Sequence, residues 1–170
     1  MAKLIVTGGL GFIGSNLIEF LLNKGHSVVN IDKVSYSSNF YNTSSFNKNK
    51  KYKFVKADIA NKKKVKQIIK KYKPNCILHL AGLSRPMKIH ESNISKSIDL
   101  NIIGTCNIVK AAARHKIKII YLSTSYVYEG TKGNYAESDP VKPWNNYSRS
   151  KLGGECAVSM YKNSLIIRLC

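Results

Sequence analysis

Acidic side chains are scarce: nine Asp and Glu stand against 28 Lys and Arg in 170 residues, giving a formal net charge of +19. Arginine is scarcer still, because 24 of those 28 basic residues are Lys and 4 are Arg. Surfaces that read bases or clamp phosphates use the planar guanidinium. A joint excess of Lys, Asn and Ile is also what AT-rich coding produces with no selection for binding, so specific nucleic-acid recognition is not expected. The densest basic cluster, Lys62 to Lys64, Lys66, Lys70, Lys71 and Lys73, surrounds Val65, Ile68, Ile69 and Tyr72 at helical spacing and reads as the solvated face of an amphipathic helix. Cysteine is limited to Cys76, Cys106, Cys156 and Cys170, with no C-x-x-C pair and no histidine at zinc-ligand spacing. That excludes a disulfide framework and a structural metal site, and predicts reduced thiols acting mostly as small core residues. No apolar run approaches the roughly 20 residues a bilayer requires, and Met1-Ala2-Lys3 leads straight into a strand-like run with no signal-peptide core. No membrane span and a cytoplasmic location are expected.

What remains is enough for one core. Hydrophobic residues make up 44% of the chain, with four prolines and no repeat, so residues 1–170 are expected to form one domain. Short apolar, β-rich runs lie at Lys3 to Thr7, Ser27 to Asp32, Tyr52 to Lys56, Cys76 to Leu80, Lys118 to Ser123 and Ser164 to Leu169. Helical periodicity occupies Phe12 to Lys24, Asn61 to Tyr72, Ile98 to His115 and Tyr147 to Lys162. Strands alternating with helices predict an α/β fold, a doubly wound parallel sheet, because parallel neighbours need helical crossovers. Val34 to Asn49 and Glu129 to Asn146 read as long loops, and long loops at the carboxyl ends of such strands bind ligands.

Three motifs carry chemistry. Thr7-Gly8-Gly9-Leu10-Gly11-Phe12-Ile13-Gly14 follows the first strand and opens the first helix. There Gly8 permits a tight turn, Gly11 lets a pyrophosphate approach the backbone, Gly14 lets the helix pack closely, and the helix N-terminus offers N–H groups to phosphate. Glycine spacing alone is weak evidence, since turns also use glycine, but Asp32 ends the second strand where a carboxylate accepts hydrogen bonds from ribose hydroxyls. That favours NAD; Lys33 beside it leaves NADP possible. Asp58 either contacts the adenine ring or caps the helix starting near Asn61. Tyr147 and Lys151, four apart, share a helix face, and an ammonium there lowers a phenol's pKa toward the range for proton exchange with a sugar hydroxyl or carbonyl. Such a pair is common on surface helices; what lifts it is the hydroxyl cluster Ser123-Thr124-Ser125-Tyr126 at the end of the fifth strand, where Thr124 can hydrogen-bond a reacting C–O group.

Together with Ala57-Asp58, His79-Leu80-Ala81-Gly82 and Asn101-Ile102-Ile103-Gly104-Thr105, these motifs resemble the N-terminal part of the extended short-chain dehydrogenases/reductases, the NAD-dependent epimerase/dehydratase family of nucleotide-sugar enzymes. The resemblance covers essentially the whole chain and implies an NAD(P)-binding Rossmann domain. It implies that Tyr147 is the proton donor or acceptor, that Lys151 binds the nicotinamide ribose and tunes Tyr147, and that Thr124 holds the substrate oxygen. Gly8, Gly11, Phe12, Ile13, Gly14 and Asp32 would contact the dinucleotide, Asp58 and Ile59 its adenine side, and Leu80, Ala81 and Gly82 its middle. Asn101 would support the site from the cofactor side, and Ser84, Ser125 and Tyr126 would face a nucleotide-sugar substrate. A homodimer through helices 98–115 and 147–162 is a further family expectation.

Departures from the family pattern bear on the reaction. Members that form 4-keto-6-deoxy sugars carry an acidic pair after the threonine, and here those positions are Ser125 and Tyr126. A 4-keto reductase or an epimerase is therefore expected ahead of a 4,6-dehydratase. The stretch from Ser123 to Glu155 is similar to reductases that make deoxysugars such as dTDP-rhamnose, whereas Asp32 to Tyr36 looks more like the epimerases and dehydratases. The alternative is a noncatalytic dinucleotide-binding regulatory subunit, against which the joint presence of Thr124, Tyr147 and Lys151 argues. The chain ends just after the strand Leu165 to Leu169, where the family continues into a substrate-binding region, so a fragment with poor isolated turnover is expected.

Overall fold

In the first strand Ile5 and Val6 are both fully buried although their side chains point to opposite sides, which requires a sheet covered on both faces. A computed structural model, describing residues 1–84 and 87–170, shows that sheet. Its elements in chain order are β1 (Lys3–Thr7), α1 (Phe12–Asn23), β2 (Ser27–Asp32), β3 (Tyr52–Lys56), α2 (Lys62–Tyr72), β4 (Cys76–His79), two single-turn helices α3 (Ile89–Ser92) and α4 (Ile94–Ser97), α5 (Gly104–Arg114), β5 (Lys118–Thr124), α6 (Asn146–Ser159) and β6 (Ser164–Leu169). All strand pairs are parallel, in the order β3-β2-β1-β4-β5-β6. The order reverses between β1 and β4, and in such sheets the crevice outside the carboxyl ends at that reversal is where ligands bind.

Two cores flank the sheet. Val65, Ile68 and Ile69 of α2, Ile108, Ala111 and Ala112 of α5 and Val158 of α6 pack with Ile5, Ile31, Ile77 and Ile119 on one face. Ile18 and Leu22 of α1 pack with Val6, Val28 and Phe46 on the other. Leu165, Ile167 and Leu169 of β6 alternate outward and are exposed. Among the described residues, no helix is long and apolar enough to cross a membrane.

Strands and main helices fall within a few residues of the sequence expectation. The lysine-rich segment is the amphipathic helix α2, capped by Asn61, whose side chain accepts from Lys64 N–H. The expected helix from Ile98 to His115 is not one α-helix: Ile98–Ile103 is wound as a π-helix that passes into α5. The segment ahead of it carries α3 and α4, which no periodicity announced. The cysteines also differ from expectation, since Cys76 and Cys106 are half-buried and Cys156 and Cys170 exposed, so none is a fully buried core residue.

One ion pair ties α6 to β6. Glu155 is 4% exposed and accepts from Arg168 Nε at 3.1 Å and Nη2 at 2.8 Å. Arg168 Nη1 also donates to the Tyr128 hydroxyl at 2.6 Å, and that hydroxyl donates to the Ala136 carbonyl, which pins the loop after β5 to the last strand. Removing one member strands a buried charge, and that costs more than the pair contributes. Arg168→Met should lower unfolding free energy by about 3 kcal/mol; equal urea midpoints for variant and parent would contradict this.

Candidate active site

The carboxyl ends of the central strands open into a groove of about 560 Å³. Gly8, Gly11, Phe12, Ile13, Gly14, Asp32, Asp58, Ile59, Leu80, Ala81, Gly82 and Ser84 all line it, with Leu122 at its β5 end. Gly8 has φ +75°, and a Cβ there would lie 2.9 Å from the Ala81 backbone. A Cβ on Gly14 would lie 2.3 Å from the Gly8 carbonyl oxygen, so this glycine seats α1 on the loop's own backbone. Gly11 is different, because a Cβ there would meet only the Gly8 carbonyl oxygen, at 3.4 Å, an ordinary contact. The protein itself does not require glycine at that position, whereas a ligand lying against the backbone would.

The start of α1 points the same way. α2 and α6 are capped by the side chains of Asn61 and Asn145, while α1 has no side-chain cap and no acidic residue in its first turn. Its first N–H groups, together with the positive end of the helix dipole, are therefore available to an anion in the groove.

Asp32 holds the adjoining wall. Its Oδ2 accepts from Leu10 N–H at 3.1 Å, tying the glycine loop to β2, and its Oδ1 accepts from Val34 N–H at 2.8 Å and the Ser38 hydroxyl at 2.7 Å. The carboxylate thus braces both the loop and its own turn, in which Val34 is held at φ 63°, a left-handed conformation costly for a β-branched residue. With about four acceptor positions per carboxylate, one remains for a ligand hydroxyl. Asp58 does not cap α2, since Asn61 does. Its Oδ1 accepts from Ala60 N–H at 2.9 Å, and its Oδ2 lies 3.5 Å from Lys33 Nζ.

Thr124, Tyr147 and Lys151 do not line the groove themselves; they stand beside its β5 end, where Leu122 lines it. Thr124 Oγ1 accepts from Tyr126 N–H at 3.2 Å, starting a 3-10 turn over Ser125–Val127, and its own O–H remains to donate. A capping box between Asn145 and Ser148 fixes the start of α6, placing Tyr147 in the first helical turn. Lys151, one turn on, is 7% exposed; its Nζ donates to the Leu122 carbonyl at 2.7 Å and lies 4.2 Å from the centroid of the Tyr121 ring. Burial pushes its pKa down to about 7, while Glu155 pulls it upward.

Asn101 does not line the groove. Its amide donates to the Leu83 carbonyl at 2.9 Å and to Ser150 Oγ at 2.8 Å, and its Oδ1 accepts from Leu83 N–H at 2.7 Å. With both amide hydrogens committed to protein, this side chain holds the turn after β4 against α6. Ser150 in turn donates to the Tyr147 carbonyl at 2.7 Å.

Two residues were missed from the sequence. His90 is 1% exposed, its ring centroid 5.1 Å from that of Tyr147. Its Nε2 faces the Ser84 carbonyl at 3.3 Å and its Nδ1 the Ser97 hydroxyl at 2.8 Å. A carbonyl can only accept, so Nε2 carries the proton. Trp144, the single tryptophan, stands 6.1 Å from Tyr126, whose ring lies 6.1 Å from that of Tyr147. Nothing in a lone His or Trp within an irregular segment marks it as part of a site; the short helices that place His90 would have had to be foreseen first. Among the described residues, no three His, Cys, Asp or Glu side chains form a metal-binding group.

The family model for GDP-mannose 4,6 dehydratase matches residues 5–170. Human dTDP-D-glucose 4,6-dehydratase is 32% identical over 163 residues, covering 94% of this chain and 46% of that protein. UDP-glucose 4-epimerase of Mycolicibacterium smegmatis is 33% identical over 171 residues, covering 95% of this chain and 51% of that protein. The crystal structure of dTDP-glucose 4,6-dehydratase from Bacillus anthracis in complex with NAD superposes with a TM-score of 0.87 at 29% identity, over 99% of this chain and 54% of that one. The chain spans about half the length of the curated relatives it matches.

Two outcomes are expected from this geometry. Lys151 is protonated more readily in the unfolded chain than in the fold, so its penalty is complete below about pH 7 and fades as pH rises toward the unfolded value near 10.5. Lys151→Met should therefore be more stable than the parent at pH 7, with an advantage that shrinks by pH 10; paired urea titrations at the two pH values measure it. Asn101→Ala leaves Leu83 N–H and C=O unpaired in the interior and should cost about 2–4 kcal/mol, read by the same denaturation.

Proposed function

We propose, from the premise that the chain belongs to the NAD-dependent epimerase/dehydratase family matched by the GDP-mannose 4,6 dehydratase model, that it forms the NAD-binding and proton-transfer half of an enzyme acting on a nucleotide-activated sugar. The groove suits a dinucleotide on its own terms: an uncapped helix start, a glycine open to a ligand, and a carboxylate with acceptor capacity left. Bound there, the nicotinamide of NAD would accept a hydride from the sugar carbon, and in its reduced form would supply one.

The rest of the work falls to the chain. The first turn of α1 binds the pyrophosphate, and Asp32 accepts from the adenosine ribose. A 2′-phosphate would meet the Asp32 carboxylate, and Lys33, which could offset it, is already paired with Asp58, so NAD is favoured over NADP. Thr124 donates its O–H to the sugar oxygen. The Tyr147 phenolate takes the hydroxyl proton as the carbon is oxidised and returns a proton on reduction. Two features stabilise that phenolate: the Lys151 ammonium one turn away, and the positive end of α6, in whose first turn Tyr147 sits.

The observation that carries the choice of reaction is where the carboxylates lie. The two positions directly after Thr124 are Ser125 and Tyr126 and carry no carboxylate; Asp32 and Asp58 line the groove at its β2–β3 end, and Glu129 and Glu137 line a second cavity that Tyr126 borders, with Glu129 paired with Lys142. Eliminating water from a hexose needs an acid and a base at the sugar, so 4-epimerisation or 4-keto reduction is favoured, although dehydratases are among the relatives. The test is to incubate the complete gene product and NAD with UDP-glucose and dTDP-glucose, and with a 4-keto sugar nucleotide and NADH. A C4 epimer or a reduced sugar is expected, and a 4-keto-6-deoxy product would overturn the choice. Tyr147→Phe should lower turnover by about 10²–10⁴-fold and leave NAD affinity within about twofold; unchanged turnover would remove Tyr147 from the chemistry.

A further inference from the structure

We infer that Tyr126 and Trp144 form a stacking platform for the neutral pyranose ring of the substrate, a reading that rests on the proposed role of Tyr147. If the Tyr147 hydroxyl exchanges a proton with a sugar oxygen, the sugar ring lies within hydrogen-bond reach of it. The remainder of the ring must then cover whatever flanks Tyr147. On one flank is His90, 1% exposed and with both ring nitrogens facing protein partners. On the other is Tyr126, 46% exposed, and beyond it Trp144, 58% exposed.

Tyr126 meets Tyr147 edge-on, at an interplanar angle of 81°, and lies at 41° to Trp144. Both rings line a second cavity, of about 1040 Å³, separate from the dinucleotide groove and bordered also by Ser125, Tyr128 and Arg168. Of its charged groups, Arg168 is bound to Glu155 and Tyr128, Glu129 is paired with Lys142, and Glu137 is in no ion pair among the described residues, so the cavity offers no unpaired cation. A wall of exposed aromatic faces with only a carboxylate left unpaired suits a ligand with an uncharged C–H face and hydroxyls. A pyranose has such a face, whereas a diphosphate would need unpaired cations.

Trp144 is the single tryptophan of these 170 residues, so its emission reports the platform. The complete gene product, saturated with NAD, is titrated with UDP-glucose and separately with UDP, up to about 5 mM to reach weak binding, with Trp144→Phe as the reference that subtracts emission from any tryptophan outside these 170 residues. A saturable change in Trp144 emission with UDP-glucose, absent or much smaller with UDP, is expected. Tyr126→Ala should raise the apparent dissociation constant by about threefold to tenfold, the range for one ring contact, while Tyr126→Phe restores it. An equal response to UDP overturns the platform, because the rings would then meet base or phosphate. So does a flat response to UDP-glucose in a chain that NAD still protects against thermal unfolding. Calorimetry separates the two failures: heat of UDP-glucose binding with unchanged emission removes the platform and leaves the Tyr147 reading standing, whereas no heat removes both from this chain.

Discussion

A buried line of hydroxyl and imidazole groups joins every part of this site. Thr7 Oγ1 accepts from Leu80 N–H and Ala81 N–H and lies 2.7 Å from His79 Nδ1; His79 Nε2 lies 3.1 Å from Thr105 Oγ1, which donates to the Asn101 carbonyl at 2.7 Å. Because the Thr105 hydrogen goes to that carbonyl, His79 must donate through Nε2 and accept through Nδ1, and Thr7 must donate to it. One tautomer satisfies the whole line. Burial, helped by the positive charge of Lys151, depresses the His79 pKa to about 3, so ordinary pH does not disturb the arrangement. The end of β1, the turn after β4, the π-helix and, through the Asn101 side chain and Ser150, the start of α6 are set against one another by a network with no slack. A half-satisfied version would cost more than an apolar core, which is why its members are all hydrogen-bonding types.

That rigidity holds a group in an unfavourable place. Lys151 is drawn under the sheet edge, over the Tyr121 ring and onto a carbonyl, with Glu155 the anion acting on it. Arg168 engages both oxygens of the Glu155 carboxylate, and no Lys151–Glu155 ion pair is formed among the described residues. A tight Lys151–Glu155 pair would stabilise the fold and hold the ammonium away from Tyr147. An under-compensated ammonium retains its capacity to stabilise a neighbouring phenolate. Under the proposed function, stability is given up at the point where the chemistry needs charge.

How much of this could be read from residues alone depends on whether the signal was periodic. The strands from Lys3, Ser27, Tyr52, Lys118 and Ser164 stood out because each is a brief β-branched run between polar segments, and their alternation with amphipathic helices leaves few topologies. Glycine spacing and the four-residue step from Tyr147 to Lys151 were legible for the same reason, as patterns whose period matches a backbone geometry. The π-helix at Ile98–Ile103 was not, because one extra residue in a turn leaves apolar spacing almost unchanged; within it Asn101 meets Leu83 and Ser150 together. His90 and Trp144 lie in segments whose conformation is set by tertiary contacts. For His90 these include Asn146, which donates to the His90 carbonyl at 3.4 Å and to Glu91 at 2.6 Å. Asp32 was legible as the carboxylate ending β2 beside the glycine loop but not as a brace, since its bond to Leu10 depends on how that loop closes.

The distribution of charge completes the picture of how such a site meets its ligands. A chain of net charge +19 surrounds itself with a positive potential, which speeds the approach of any anionic nucleotide and is damped within about 8 Å at physiological salt. That field cannot tell one nucleotide from another, because most of its lysines stand on elements such as α2 and do not line the groove, where Lys33 is paired with Asp58. Discrimination begins inside the Debye length. There Asp32 and Asp58 bring negative charge to one end of the groove, the start of α1 brings its positive dipole to the middle, and the neighbouring cavity carries the aromatic faces of Tyr126 and Trp144 with no unpaired cation among the described residues. In the proposed function two ligands divide these regions: a dinucleotide with its phosphates at the centre and a ribose toward Asp32, and a substrate sugar at the aromatic faces. A polyanion such as DNA would meet the same outer field, yet find in the groove two carboxylates where its phosphates would lie.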